Sequence, residues 1–173
     1  MKAEALKQKN FFSLLLYGAR PKTLVAALLP VVLGMFLAKS EGFYNIITYL
    51  YTLGCSVFIQ IGTNFANDFF DSKAGRDTEK RLGPARIGSL GLLSKNVLLA
   101  CTIISFVIAS ACAIPLAQIG GPVIYPLMAL AVFLGFYYSW GKYSLANTGL
   151  ANIVVFTVFG PLATSLTYYL QVG

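Results

Sequence analysis

Histidine is absent from this chain of 173 residues, and charged residues make up only 11% of it. Without an imidazole there is no His-based proton shuttle, no Ser-His-Asp or Cys-His triad and no imidazole ligand for a metal. A soluble domain carries about 25% charged residues, so the usual share is more than halved here. Together with 57% hydrophobic residues and a mean hydropathy of +0.73, the scarcity of charge predicts an integral membrane protein in a lipid bilayer.

Cysteine is also scarce, and acidic residues are fewer than basic ones. Cys55, Cys101 and Cys112 each lie inside an apolar run and form no CxxC spacing. They are interpreted as small buried hydrophobic residues, which excludes a disulfide scaffold. Six acidic residues against 13 basic ones give a net charge of +7. In a membrane protein this excess reflects where basic residues are placed relative to the bilayer, so we expect no nucleic-acid partner.

Five apolar runs are long enough to be predicted as transmembrane helices. They lie at residues 23–38, 46–70, 96–117, 123–140 and 149–170, separated by charged or turn-forming segments. None shows the alternating pattern of a barrel strand. The predicted fold class is therefore all-α, with a single polytopic membrane helix bundle over residues 1–173. Within it we expect a cytoplasmic N-terminal segment at 1–22 and a charged cytoplasmic loop at 71–95.

The charge distribution supports this partition. All but one of the 13 basic residues fall on one side of the five-span arrangement, and Lys39 is alone on the other side. Basic residues gather on the cytoplasmic side, so the N-terminus is predicted to be cytoplasmic and the C-terminus outside, in a bacterial inner or plasma membrane. The alternative for the first run is a cleaved signal peptide. Its 22-residue lead-in is long for one, and no clear cleavage site follows before Lys39.

A cluster of polar residues lies at the end of the second predicted span. Asn64, Asn67, Asp68 and Asp71 stand at i, i+3, i+4 and i+7, which places them on one stripe of a helix. Asp77 follows a glycine that can end the helix and let the chain fold back. Oxygen ligands suit Mg²⁺, which binds one or two carboxylates with water and phosphate oxygens. The pattern predicts a magnesium–diphosphate site; the alternative is a solvated helix end whose acids balance nearby basic residues.

At these residues the sequence resembles the UbiA superfamily of membrane aromatic prenyltransferases. The stretch 67–77, Asn-Asp-Phe-Phe-Asp-Ser-Lys-Ala-Gly-Arg-Asp, is similar to the first aspartate-rich motif of that superfamily. Its Gly-x-Asp ending and the Arg-Leu-Gly-Pro-Ala-Arg at 81–86 look like the 1,4-dihydroxy-2-naphthoate polyprenyltransferase branch of menaquinone synthesis. Ala-Arg-Pro-Lys-Thr-Leu at 19–24 and Phe-Gly-Pro-Leu at 159–162 are similar to the opening signature and the fifth helix of that branch.

The resemblance implies a Mg²⁺-dependent transfer of a polyprenyl group from an allylic polyprenyl diphosphate to an aromatic acceptor, expected to be 1,4-dihydroxy-2-naphthoate. It implies Asn67, Asp71 and Asp77 as metal ligands. It implies Asp68, Asp71 and Arg86 as catalytic residues. The expected substrate-binding residues are Arg20, Lys22, Asn64, Lys80, Arg81 and Tyr138.

Some of these residues have a second interpretation. Arg20 and Lys22 precede the first span, where basic residues set the topology of most membrane proteins. Tyr138 belongs to an aromatic group within residues 137–143. Such rings can stabilise an allylic cation through their faces and line a prenyl channel. They can equally form an ordinary aromatic belt at the membrane interface.

The sequence also departs from the family pattern. Thr148 stands where the branch usually has arginine, and Asn152 where it usually has glutamate. The family has about nine spans and a second aspartate motif, whereas no acidic residue follows Glu79. We therefore expect the N-terminal half of such an enzyme, from a truncated gene, a split gene or an incomplete sequence. The alternatives are an inactive membrane remnant or binding subunit and, third, a cation-coupled transporter.

Overall fold

The computed structural model describes residues 2–74, 86–141 and 144–173, which contain helices and no β-strand. Two short helices precede four longer ones, and the last helical run follows a 3₁₀ turn at Leu145–Asn147. That run consists of two α-helices joined by a π-helical turn at Val158–Leu162. The α-helices are α1 (Lys2–Lys7), α2 (Phe11–Ala19), α3 (Pro21–Ser40), α4 (Ile46–Ala74), α5 (Lys95–Gly120), α6 (Ile124–Tyr137), α7 (Ala151–Thr157) and α8 (Ala163–Val172).

Four helical runs within the described residues are long and apolar enough to cross a membrane. They are α3, α4, α5 and the continuous run Ala151–Val172 that joins α7 to α8. All five apolar runs of the sequence are thus helical, but α6 has only 14 residues, fewer than the about 20 of a typical span. The all-α membrane bundle is confirmed, with four long helices and a shorter fifth in place of five equal ones.

Side-chain caps determine where several helices begin. Asn10 Oδ1 accepts a hydrogen bond from Ser13 N at 2.9 Å before α2. Ser94 Oγ accepts one from Val97 N at 3.3 Å before α5. These acceptors satisfy amide groups that the first turn of a helix leaves unpaired. Pro21 begins α3, at a position where its missing N–H breaks no helical hydrogen bond.

The packing is centred on α4, which contacts α2, α3, α5, α6 and α8. Glycines allow the closest of these contacts. A Cβ at Gly62 of α4 would lie 2.8 Å from the ring of Phe106, and a Cβ at Gly135 of α6 would lie 2.9 Å from the same ring. Likewise, α3 approaches α8 at Gly34, where a Cβ would lie 2.5 Å from the carbonyl oxygen of Thr164. Small residues at such crossings let membrane helices pack backbone to backbone.

Polar side chains inside the bundle donate to backbone carbonyls. Ser56 Oγ of α4 donates to Ala27 O of α3 at 2.8 Å. At the start of α4, Asn45 N donates to Gln171 Oε1 at 2.7 Å, and Gln171 Nε2 donates to Asn45 O at 3.2 Å. This two-way contact joins the end of α8 to the start of α4. The charged residues of α4 lie at its other, C-terminal end.

Candidate functional site at the C-terminal end of α4

Four polar residues in the last three turns of α4 are buried together. Asn64, Asn67, Asp68 and Asp71 are 3%, 6%, 1% and 5% exposed. The i, i+3, i+4, i+7 spacing places them on one side of the helix. Carboxylates are almost never buried to this extent unless they are paired. The partners of the two aspartates therefore define the site.

Each carboxylate is paired with an arginine from a different part of the chain. Asp68 accepts a hydrogen bond from Arg20, at the junction of α2 and α3. Asp71 pairs with Arg86, in the segment that precedes α5. The two arginine side chains are themselves mostly buried. We call these four residues the Asp–Arg cluster; its two negative and two positive charges balance each other.

Arg20 has an unusual backbone conformation. Its φ of 53° and ψ of 69° are left-handed, and no other non-glycine residue in the described ranges has a positive φ. Its N–H donates to Tyr17 O at 3.1 Å, and its carbonyl accepts from Thr23 N at 2.8 Å, so α2 ends and α3 begins here. This conformation costs a non-glycine residue about 1–2 kcal/mol. Glycine would avoid that cost but would not supply the guanidinium that reaches Asp68.

Asn64 contacts the same junction. Its Nδ2 donates to Ala19 O at 2.8 Å and to Thr23 Oγ1 at 2.9 Å. Its Oδ1 accepts from Gln60 Nε2 at 3.3 Å. The structure places Asn64, predicted to bind substrate, in contact with protein groups beside Arg20. The sequence pattern points to neither Thr23 nor Gln60, because neither carries a charge, and the contact with Thr23 joins separate helices.

Asn67 is held by a residue that sequence reasoning missed. The Oγ of Ser139 donates a hydrogen bond to Asn67 Oδ1, and both side chains are buried. This contact joins α4 to the residue that follows Tyr138 at the end of α6. The sequence signal for this contact is a hydroxyl residue within the aromatic run at 137–140.

Arg86 presents a buried donor to the site. Burial lowers the pKa of its guanidinium below the ordinary value, and the charge of Arg20 lowers it further, while Asp68 and Tyr138 oppose the shift. Arginine nevertheless stays protonated in proteins. The Nε of Arg86 is buried without a hydrogen-bond partner among the described residues. Because an unpaired buried donor is costly, this atom marks a place for an added acceptor such as a phosphate oxygen.

Of the remaining predicted site residues, the structure describes Tyr138 and Lys22. Tyr138 is partly buried and close enough to Arg86 to affect its pKa. Lys22 is exposed on the first turn of α3, and no ion pair joins it to the Asp–Arg cluster in the described ranges. Three other predicted site residues lie outside the described residues: Asp77, Lys80 and Arg81.

A row of aromatic rings lies beside the cluster. Phe70 of α4 stacks on Trp140 with ring centroids 6.4 Å apart and meets Phe136 edge-on at the same distance. Phe136 in turn contacts Phe106 at 4.9 Å. Trp140 is the single tryptophan of the chain and is 58% exposed. It directly follows Ser139, so this ring and the contact to Asn67 lie at the same end of α6.

An apolar cavity of about 140 Å³ lies deeper in the bundle, lined by α3, α4, α5, α6 and the last helical run. Of the α4 residues that line the cavity, Ile59 is the one nearest to Asp68 in the sequence. At 1.5 Å per residue, these two positions are about 14 Å apart along the helix axis. Thr52 and Ser56 in its wall donate their hydroxyl hydrogens to backbone carbonyls. The wall therefore offers mainly hydrocarbon, which suits an apolar ligand.

The donors at the end of α4 suit a hard divalent cation that arrives with further ligands. As metal ligands, the side chains of Asn67, Asp68 and Asp71 can supply only oxygen atoms. Within the ranges that the structure describes, no group of three or more acidic, histidine or cysteine residues could hold a metal. Mg²⁺ commonly takes one or two protein carboxylates and completes its shell with water and phosphate oxygens. The side chains present fit Mg²⁺ on that condition.

The chain is similar to proteins of one known family. Residues 27–173 match the model of the UbiA prenyltransferase family. A 1,4-dihydroxy-2-naphthoate octaprenyltransferase of Mycobacterium tuberculosis is 30% identical over 154 residues, which cover 89% of this chain and 52% of that protein. The protein of the same name from Haemophilus influenzae is 33% identical over 162 residues, with 88% and 52% covered.

A third relative is more distant. It is a 2-carboxy-1,4-naphthoquinone phytyltransferase of Synechocystis, 26% identical over 160 residues, which cover 90% of this chain and 50% of that protein. The chain thus spans about half the length of the curated relatives it matches. No solved structure gives a significant match.

Proposed function

Because the chain belongs to the UbiA prenyltransferase family, we propose that it carries the diphosphate-binding part of an aromatic prenyltransferase. The donor is an allylic polyprenyl diphosphate and the acceptor 1,4-dihydroxy-2-naphthoate, in keeping with the names of its relatives. The product would be a prenylated precursor in menaquinone biosynthesis. The observation that carries the proposal is the Asp–Arg cluster, two buried ion pairs at one end of a membrane helix.

In this proposal Arg20 and Arg86 bind the diphosphate. A guanidinium has five N–H donors in a planar fork, so it can stay paired with a carboxylate while donating to phosphate oxygens. The Nε of Arg86, which has no hydrogen-bond partner among the described residues, is one such donor. Both positive charges stabilise the negative charge that grows on the diphosphate as it leaves. Lys22, Lys80 and Arg81 remain proposed as further phosphate contacts, and Tyr138 as a substrate contact.

The oxygen donors of α4 hold the metal in the proposal. Asn67, Asp68 and Asp71, with Asp77 from the following segment, would bind Mg²⁺ against the diphosphate. When bound, Mg²⁺ supplies Lewis-acid stabilisation of the leaving group. The hydroxyl of Ser139 donates to the amide oxygen of Asn67, which fixes the direction of that ligand.

The transfer breaks the bond between C1 of the prenyl chain and a diphosphate oxygen, which keeps the bonding electrons. A ring carbon of the acceptor supplies the electron pair of the new carbon–carbon bond, and the ring then loses a proton. Phe70 and Trp140, which stack on each other at this end of α4 and α6, offer aromatic faces that can stabilise positive charge on the allylic carbons. The apolar cavity beyond Ile59 is proposed to accept part of the prenyl chain.

We propose that the Asp–Arg cluster and the N-terminus face the cytoplasm of a bacterial inner or plasma membrane, and that the C-terminus faces outside. The support is the distribution of basic residues, of which only Lys39 lies towards the opposite end. Residues 1–22 and 71–95 would then be cytoplasmic parts of one membrane domain. One-sided labelling of a cysteine introduced at exposed Ser89 tests this orientation.

Prenyl transfer itself tests the proposed function. Membranes containing the chain are incubated with Mg²⁺, a polyprenyl diphosphate and 1,4-dihydroxy-2-naphthoate, and the prenylated product is measured by mass spectrometry. We expect Asp71→Asn to lower the rate by about 100-fold or more, since residues one step further from a metal already cost 10–100-fold.

The matched control is Glu41→Gln, which neutralises an exposed carboxylate at the opposite end of the bundle, where it accepts from Tyr168 Oη at 2.5 Å. Its rate should stay within about twofold of wild type. Equal rates for Asp71→Asn and wild type would refute the proposed site. Diphosphate binding without any product from the wild-type chain would favour the alternative of an inactive remnant or binding subunit.

A further inference from the structure

We propose that Asn64 is a positioning residue that holds the left-handed turn at Arg20 and thereby directs the Arg20 guanidinium into the Asp–Arg cluster. The function of the turn, to present Arg20 to a diphosphate, rests on the proposed function above. The role of Asn64 in holding the turn rests on its own contacts. Asn64 thus acts through Arg20 and has no contact with the substrate.

The amide of Asn64 bridges the two sides of the turn. Its Nδ2 donates to Ala19 O at 2.8 Å, one residue before Arg20. It also donates to Thr23 Oγ1 at 2.9 Å, three residues after Arg20. A single buried side chain of α4 therefore holds the last residue of α2 and the first turn of α3 at a fixed separation.

Thr23 completes the contact with the backbone of Arg20. Its Oγ1 accepts from Asn64 and donates to Arg20 O at 2.9 Å. The carbonyl of Arg20 also accepts from Thr23 N at 2.8 Å. The hydrogen bonds thus run from α4 through a hydroxyl to the one left-handed non-glycine residue of the described ranges.

The orientation of the Asn64 amide follows from its neighbours. Ala19 O can only accept a hydrogen bond, so the nitrogen must face it. The oxygen then faces Gln60 Nε2 at 3.3 Å. Both ends of the amide are engaged with protein groups, which leaves Asn64 a structural partner of Arg20 instead of a ligand to phosphate or metal.

The turn requires such support. A non-glycine residue stays in the left-handed region only where its surroundings hold it there. On the α2 side the support is packing, because a Cβ at Gly18 would lie 2.6 Å from both Phe65 and Ile87. On the α3 side the support is the hydrogen bonding of Asn64 and Thr23. Without it, Arg20 is free to relax to the extended backbone that a residue before proline prefers, which turns its side chain away from Asp68.

A double-mutant cycle on the full chain in lipid nanodiscs tests whether Asn64 acts through Arg20. The probe is inorganic pyrophosphate with Mg²⁺, and the readout is its Kd by calorimetry. We expect Asn64→Ala and Thr23→Val each to raise the Kd roughly 3- to 10-fold, the range of one or two hydrogen bonds. Thr23→Ser, which keeps the hydroxyl, should restore the wild-type Kd. Thr102→Val, which removes a buried hydroxyl that donates to Leu98 O of its own helix, should change nothing.

The combination with Arg20→Ala decides between positioning and direct contact. If Asn64 only positions Arg20, adding Asn64→Ala to Arg20→Ala should change the Kd by less than twofold. Losses that multiply in the double variant would show that Asn64 contacts the diphosphate itself, and would overturn the proposal.

Hydrogen exchange provides a readout that does not depend on diphosphate binding. The amides of Arg20 and Thr23 should exchange at least about tenfold faster in Asn64→Ala and Thr23→Val than in wild type and Thr23→Ser. Unchanged exchange at both amides would overturn the proposal whatever the binding result. If the wild-type chain binds no pyrophosphate while exchange responds as expected, the proposed function fails and the positioning role of Asn64 stands.

Discussion

The buried carboxylates explain the placement of the arginines at the scale of single residues. A carboxylate that is 1% exposed, as Asp68 is, needs a counter-charge within the protein because its own hydration has been removed. Arg20 meets this need for Asp68 by adopting a left-handed backbone, and Arg86 meets it for Asp71 from the segment that precedes α5. The same two guanidiniums are the groups that a diphosphate would bind, so structural and proposed functional roles coincide.

Arg86 provides a prediction about pH. Burial and the charge of Arg20 lower the pKa of its guanidinium. The ordinary pKa of arginine is so high that the group nevertheless stays charged. The ordinary pKa of a lysine is about 10.4, and the same burial would lower the pKa of a lysine at position 86, while Asp68 and Tyr138 would raise it. A cation with a lowered pKa is charged below that pKa and loses its charge as pH rises through it. Arg86→Lys should therefore bind pyrophosphate about tenfold more weakly at pH 7.

The pH dependence separates charge from shape in that variant. The ratio of the Arg86→Lys Kd to the wild-type Kd should rise further between pH 7 and pH 9.5, measured by calorimetry in the same nanodiscs. Taking the ratio cancels the ionisation of the pyrophosphate. A ratio that stays constant over this range would mean that the substituted ammonium keeps its charge, and that burial at position 86 is not the dominant effect.

At the residue scale, the sequence alone predicted that the site residues of α4 lie together, because they share one helix. Asn64, Asn67, Asp68 and Asp71 follow a spacing that helical geometry alone converts into one buried side. Ser139 and Thr23 were not found, because each contributes through a contact with α4 that no local pattern encodes. The positioning role proposed for Asn64 depends on contacts of the same kind, since Ala19 lies on α2 and Thr23 on α3.

At the scale of elements, the segment before α5 positions Arg86. Ile87 is fully buried between α2 and α4, and Gly88 packs directly on α4. A Cβ at Gly88 would lie 2.7 Å from Leu98 and 2.8 Å from the backbone oxygen of Asp68. Backbone cannot yield as a side-chain end can, so this glycine is required for the segment to lie close enough for Arg86 to reach Asp71.

Gly88→Ala should displace this segment without removing any charged group. We expect the Kd for pyrophosphate to rise roughly 10-fold and the Tm to fall by a few degrees, since overpacking of such contacts costs about 1–3 kcal/mol. Ser89→Ala, at the exposed neighbouring position, is the control and should change neither quantity. Wild-type affinity in Gly88→Ala would show that the position of Arg86 does not depend on this contact.

The helices themselves were largely predictable, and their irregularities were not. Hydrophobic runs predicted all five apolar helices to within four residues at each end. The last run contains a π-helical turn at Val158–Leu162 that includes Pro161. Proline has no N–H to donate within a helix, and the wider turn accommodates it. Whether proline kinks, ends or widens a helix depends on its surroundings, which the sequence pattern does not contain.

At the scale of the whole molecule, the two ends of the bundle differ in chemistry. One end holds the Asp–Arg cluster and, beside it, the aromatic rings of Phe70 and Trp140. The opposite end is closed by the neutral hydrogen bonds between Asn45 and Gln171. Between them lies the apolar cavity. This polarity suits a ligand with an anionic head and a hydrocarbon tail, which is the chemical description of a prenyl diphosphate.

Calorimetric titration of the chain in lipid nanodiscs with inorganic pyrophosphate, with and without Mg²⁺, tests most directly whether the end of α4 binds a diphosphate together with a divalent cation. The account predicts binding that is at least about tenfold tighter with Mg²⁺, is weakened at least tenfold by Asp71→Asn, and is unchanged by Glu41→Gln. Binding of equal strength with and without Mg²⁺, or equal binding by Asp71→Asn and wild type, would contradict it.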